Sequence, residues 1–194
     1  MRTSGGVNTG SRVLYGARQF RYCVYQQTYN VFVILRKLME RGGPLIRVLV
    51  VDDCQIIRKT LSVILSQHSE FVVVAEASNG WEATDKARQF QPDVVLLDIG
   101  LPGLNGLEAA LLIKNAAPDA AILIVTQHNH PFFMREAFAV GALGFLDKSD
   151  AGIELHRAVN DVFSNKTFVS KSLQLRLVDS SKKPAINPDP RNEV

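Results

Sequence analysis

The run Pro92-Asp93-Val94-Val95-Leu96-Leu97-Asp98-Ile99-Gly100-Leu101-Pro102-Gly103-Leu104-Asn105-Gly106 constrains the fold more than any other stretch. Val94 to Leu97 is continuously apolar and bounded by turn residues, the pattern of a strand buried on both faces of a parallel sheet. Pro102 and Gly103 neither prolong a strand nor suit a helix interior, so Asp98 is expected at the strand's end, on the carboxyl edge of the sheet. Open α/β folds keep their ligand chemistry along that edge. A lone aspartate there is better explained by turn formation or helix capping, and it is its companions that change the reading.

Three other strand-like runs end in reactive side chains. Ile46 to Val51 is followed by the acid pair Asp52-Asp53, Ala121 to Val125 by Thr126, and Gly144 to Asp147 by Lys148. Alternation of strands with helical patterns implies parallel neighbours, so these ends converge on one shallow pocket. Crowded carboxylates repel one another unless a cation sits among them, and a hard divalent ion such as Mg²⁺ suits oxygen ligands. An ammonium and a hydroxyl suit the equatorial oxygens of a phosphoryl group transferred in line. A carboxylate nucleophile would then form an acyl phosphate, and Asp98, the central acid, is the candidate.

In this order and spacing, with Leu101-Pro102 and Gly106 after Asp98 and Phe145 three residues before Lys148, the chain resembles the receiver domain of two-component response regulators over roughly residues 46–165. The resemblance implies that Asp98 is the phosphoacceptor, Asp53 a direct ligand of Mg²⁺ (or Mn²⁺), Asp52 a ligand through water, and the Gly100 carbonyl a further ligand. It also implies that Lys148 neutralises the phosphoryl group, that Thr126 moves to bond it, and that the Phe145 rotamer follows. The implied partners are a histidine kinase or phosphotransfer protein, an effector on the face of the fourth and fifth helices, and a second copy of the chain. Leu101 to Ala109, with Gly141-Ala142 leading into Gly144-Phe145, is most similar to the branch that carries a LuxR/NarL-type helix-turn-helix. Residues 166–194 are too few to be expected to form such a domain, so direct DNA binding is not expected of this chain; the alternative is a DNA-binding transcriptional regulator, truncated here or acting through a partner.

The fold expected is a doubly wound (βα)₅ sandwich with a five-stranded parallel sheet in flavodoxin-like order 2-1-3-4-5 and helices on both faces. Three segments are expected: a basic extension over residues 1–43, a receiver domain over 44–165, and a linker-like tail over 166–194 that ends polar and proline-rich. The extension holds seven Lys or Arg against Glu40 alone, so a chain of net charge +3 leaves net −3 for the remainder. That remainder has no nucleic-acid footprint. The basic arm suits a nucleic-acid or membrane-surface tether, or else the native chain starts at Met39. No apolar stretch approaches the roughly 20 residues that span a bilayer. Cys23 and Cys54 have no metal-ligand spacing and suit a reducing cytoplasm.

Helical periodicity places the first helix over Gln55–Gln67 with Arg58 and Lys59 facing water, and the second over Trp81–Phe90 with Trp81 half-buried. Leu107–Asn115 is the third helix, and Pro131 opens the fourth. Ser149-Asp150 is expected to cap the fifth, Ala151–Ser164, whose apolar residues exceed one sheet-facing stripe. Phe145 reads equally as core or switch. His128 and His130 read as loop polar groups rather than ligands, and His128 as a flank on the path of water to the acyl phosphate. A phosphatase with an aspartyl nucleophile usually needs a second acid two residues later, where Gly100 stands, and a flavin site lacks its Ser/Thr-rich phosphate loop.

Overall fold

The computed structural model describes residues 45–128 and 130–175. The expectations for the basic arm, for a start at Met39 and for the tail beyond residue 175 lie outside the described residues. In chain order the elements are β1 (Ile46–Val51), α1 (Gln55–Ser66), β2 (Phe71–Ala77), α2 (Gly80–Phe90), β3 (Val94–Leu97), α3 (Gly106–Ala116), β4 (Ala121–Thr126), α4 (Pro131–Ala139) and β5 (Gly144–Asp147). A 3₁₀ turn (Lys148–Asp150), α5 (Ala151–Phe163) and β6 (Phe168–Val169) follow.

All the strands are parallel, in the order β2-β1-β3-β4-β5-β6. The expected order holds and gains a sixth strand, in a segment read from sequence as linker. Two residues are too short to carry a period, but the Phe168 N–H donates to the Leu143 carbonyl (3.0 Å) and the Ser170 N–H to the Phe145 carbonyl (3.0 Å). Phe168 itself is buried.

Unbroken apolar strands follow from a sheet covered on both sides. Leu49, Val51, Val95, Leu97, Ile122, Ile124 and Phe145 pack with Ala83 and Ala87 of α2, Ala109, Ala110 and Ile113 of α3, and Ala137 of α4. Their neighbours Val48, Val50, Val94, Leu96, Leu123, Val125 and Leu146 pack with Leu61 and Leu65 of α1 and with Leu155, Val159 and Val162 of α5. Alternate side chains therefore feed two cores. Each fully buried Leu, Ile, Val or Phe contributes about 1.5–3 kcal/mol by leaving water, which holds the strand ends in register.

Local chemistry starts the helices. Asn105 caps α3 in a capping box, its Oδ1 accepting from the Leu107 and Glu108 N–H groups (both 3.0 Å) while its own N–H donates to Glu108 (3.4 Å). Asn79 caps α2 by accepting from the Glu82 N–H at 2.9 Å. His130 caps α4 through Nδ1, which accepts from the Phe132 N–H at 3.2 Å, with Pro131 in the first turn as expected.

Three local expectations are corrected. Asp150 makes no capping bond to α5; instead Asp147 Oδ1 accepts from the Ser149 N–H (2.9 Å) and hydroxyl (2.7 Å), capping the 3₁₀ turn before it. Trp81 is 61% exposed, because α2 turns only its small residues Ala83, Thr84 and Ala87 inward. Arg58 is largely buried rather than facing water, whereas Lys59 is exposed and pairs with Glu76 at 3.1 Å.

Glu82 ties the β2–α2 corner together. Burial alone would raise its carboxyl, but Lys86 and the Ser78 N–H and hydroxyl donate to it and lower it to about 2. A carboxyl lowered by folding stabilises the protein above its ordinary value of 4.5, and that stability is lost as pH falls from there towards about 2. The side chain is 37% exposed, so solvent screening holds the effect to about 1 kcal/mol. Glu82→Gln is expected to cost about that much in urea unfolding near neutral pH, with the gap from wild type closing in acid. A gap independent of pH overturns the assignment.

Candidate functional site

The strand ends gather the predicted side chains at one rim. Asp52 follows β1 and its N–H donates to the Ala77 carbonyl (3.1 Å); Asp98 follows β3 and its N–H donates to the Val51 carbonyl (3.0 Å). Backbone bonds to neighbouring strands thus fix both acids. Asp52, Asp53 and Asp98 each offer a carboxylate oxygen, all within 4.8 Å of one another. Asp52 and Asp98 are buried and Asp53 is exposed. Lys148 Nζ donates to Asp98 Oδ2 at 2.7 Å and lies 2.6 Å from Asp52 Oδ2. The second contact is an ion pair with a buried carboxylate.

Burial alone would lower the Lys148 ammonium, but the Asp52 and Asp98 carboxylates, which accept from it, and their charges raise it above its ordinary value. Burial raises the Asp52 carboxyl, outweighing Lys148 and the Cys54 N–H. One ammonium among three carboxylates leaves the rim short of positive charge. Asp98 Oδ1 is buried without a hydrogen-bond donor, while Asp52 Oδ2 is buried against the Lys148 ammonium. Buried acceptors normally have partners, and an orphaned carboxylate oxygen beside two further acids suits a hard cation.

Thr126 ends β4 beside Asp147 and is fully buried; its Oγ1 accepts from the His128 N–H at 3.2 Å. Phe145 is fully buried in the core beneath α2, α3 and α4. Gly100 lies on the exposed loop after Asp98. A Cβ placed on Gly100 would stand 3.3 Å from His128 Nε2 and 3.5 Å from Asp98 Oδ2, so the missing side chain leaves the imidazole room beside the acid.

Arg58 is the participant that periodicity missed. Its Nη1 donates to the carbonyls of Asp52 (2.5 Å) and Asp53 (3.1 Å), and its Nε lies 3.8 Å from Glu76. It braces the acid pair from behind. An arginine in the first turn of a helix that follows two acids was the available signal, since chain reversal there brings its fork within reach of the preceding carbonyls.

Residues 48–160 match the response regulator receiver domain. The chain belongs to the response regulator receiver family. It is 34% identical over 146 residues to the response regulator GacA of Pseudomonas viridiflava, covering 75% of this chain and 68% of that one. It is 32% identical over 139 residues to the transcriptional regulatory protein LnrK of Bacillus subtilis, covering 72% and 63%. Among solved structures, a LuxR-family two-component response regulator from Aurantimonas sp. superposes with a TM-score of 0.67 at 31% identity, covering 72% of this chain and 99% of that one. The signal receiver domain of the response regulator NarL from Mycobacterium tuberculosis gives 0.61 at 31% identity, covering 64% and 100%. The chain is thus a phosphoacceptor module of two-component signalling. Receiver domains bind Mg²⁺ at an acidic pocket, and the three-acid cluster has that chemistry. Among the described residues, no helix is long and apolar enough to cross a membrane.

Proposed function

We propose that Asp98 is the acceptor and that the rim around it catalyses its own phosphorylation. A histidine kinase or phosphotransfer protein presents phosphohistidine, and an Asp98 carboxylate oxygen attacks phosphorus. The new O–P bond forms as the P–N bond breaks and the imidazole leaves with its electron pair. Asp53, Asp98 and the Gly100 carbonyl would hold Mg²⁺ (or Mn²⁺) directly and Asp52 through water, and the ion would supply charge neutralisation for the phosphoryl oxygens. Lys148 keeps its proton through the reaction and exchanges its bond to Asp98 for one to the transferred group. The Thr126 hydroxyl swings from the His128 N–H to the phosphoryl group, and Phe145 repacks behind it. The carrying observation is a buried carboxylate with one oxygen on Lys148 at 2.7 Å and the other without a donor, inside a three-acid cluster.

The output is a change at the surface of α4 and α5, where Phe132 (48%), Ile153 (89%) and Phe163 (40%) are exposed. New charge-assisted bonds bias a two-state equilibrium towards the form that binds an effector protein or a second copy. Incubation with acetyl phosphate and Mg²⁺ tests the reading. Intact mass is expected to rise by one phosphoryl group, and not when a chelator replaces the metal. Absence of labelling with metal present overturns it. The relatives titled transcriptional or DNA-binding regulators favour a second reading, in which the full gene product binds DNA, and salt-dependent duplex binding distinguishes it.

His128 sets the lifetime of the acyl phosphate by covering the approach of water above Gly100. His128→Ala is expected to hasten loss of the label several-fold, measured as the decay of phosphorylated mass after donor removal. An unchanged half-life removes His128 from this role.

A further inference from the structure

A second group of ligand-bearing side chains lies at the far end of the sheet from Asp98, where the strands begin. His68 and Glu70 stand in the α1–β2 connection and His156 stands on α5, which packs on the same face of the sheet as α1. His156 Nε2 lies 2.6 Å from Glu70 Oε1, and the His68 and His156 rings are 4.1 Å apart between centroids at 37°. The buried Phe71 ring lies behind both, 5.5 Å from His156 and 6.0 Å from His68. Asn160 Nδ2 lies 3.4 Å from His156 Nε2 and donates to the His156 carbonyl at 3.1 Å, which anchors that part of α5.

We propose that His68, Glu70 and His156 form a binding site for a divalent transition metal, Zn²⁺ foremost. Each offers one ligand atom, all within 4.8 Å of one another. Zinc bonds of about 2.0–2.1 Å to nitrogen and oxygen place tetrahedral donors about 3.3 Å apart. Small rotations of half-exposed side chains close that difference, and the backbone need not move. Two imidazoles with one carboxylate favour Zn²⁺, Cu²⁺ or Ni²⁺ over Mg²⁺ and Ca²⁺, so this site and the acid rim select different ions. Three protein ligands leave a position for water on the exposed side. The ion would replace the hydrogen bond between His156 and Glu70 with two metal bonds and clip the α1–β2 connection to α5, the helix that presents Ile153.

Calorimetric titration of the full chain with Zn²⁺, in excess Mg²⁺ to occupy the acid rim, tests the site. One equivalent is expected to bind to wild type and equally to Asp98→Ala. His68→Ala with His156→Ala is expected to weaken it about 100-fold or more, since two of three ligands are lost. Acetyl phosphate labelling of that double variant should persist, which shows that it is folded. Without any substitution, the ring protons of His68 and His156 should shift in NMR spectra on adding Zn²⁺, while those of His128 and His130 do not. No binding, binding unchanged in the double variant, or binding that Asp98→Ala abolishes overturns the site.

Discussion

Asp98→Ala is expected to abolish labelling by acetyl phosphate completely while leaving the chain folded. The chemical half follows from position: Asp98 Oδ2 accepts from Lys148 while Oδ1 is buried with no donor, whereas Asp52 has Oδ1 on the Cys54 N–H at 2.9 Å and Oδ2 against Lys148 at 2.6 Å. The folding half follows from electrostatics. Burial raises the Asp52 carboxyl and the like charge of Asp98 adds to that, while the unpartnered Asp98 oxygen bears a desolvation penalty of about 1–3 kcal/mol in the absence of a cation. Removing it leaves Lys148 with Asp52 at 2.6 Å, a closer match of charge. Urea unfolding without metal is therefore expected to show the variant as stable as wild type or about 1 kcal/mol more so. Asp98→Asn, which keeps the shape, should behave alike in both assays. Labelling of either variant at the wild-type rate would move the acceptor elsewhere, and a variant that unfolds easily would refute the charge balance assigned to the rim.

The parts of this site visible in the sequence are those set by local pattern. Apolar runs ending in Asp52, Asp98, Thr126 and Lys148 announce buried strands and what their ends carry, because alternate residues of each strand must feed opposite cores. Strand order then brings those ends together. What stayed hidden depends on contacts between segments or on geometry finer than the pattern. Arg58 falls on the polar side of an amphipathic stripe, and only the reversal after Asp53 shows that its fork reaches back to two carbonyls. β6 is two residues long and follows no period. Large aromatics are usually half-buried or more, yet α2 packs through alanines and leaves the Trp81 indole outside. The His68, Glu70 and His156 group joins residues up to 88 apart, with no spacing to betray it.

The close approach of α3 to the end of β3 leads to the second large effect. Gly106 opens α3 and its N–H donates to the Ile99 carbonyl at 2.9 Å, folding the loop back on the strand that carries Asp98. A Cβ at Gly106 would stand 1.9 Å from the Asp98 carbonyl oxygen, 2.8 Å from its carbon and 2.7 Å from Ile99 Cα. These are backbone atoms, so no rotamer change relieves the clash, and the loop or the helix must shift. Gly106→Ala is expected to cost about 3 kcal/mol or more in urea unfolding, the upper range for forcing a group into a packed interior. The shift falls on Asp98 itself, and displacement of a reacting group by about 1 Å costs on the order of 100-fold in rate. Labelling by acetyl phosphate should therefore slow steeply even at temperatures where the variant stays folded. Gly152→Ala is the matched control: its Cβ would meet nothing within 4 Å, and alanine is the better helix former by about 1 kcal/mol. If Gly106→Ala unfolds with wild type and accepts phosphate at the wild-type rate, the seating of α3 on the loop is not what holds the acceptor in place.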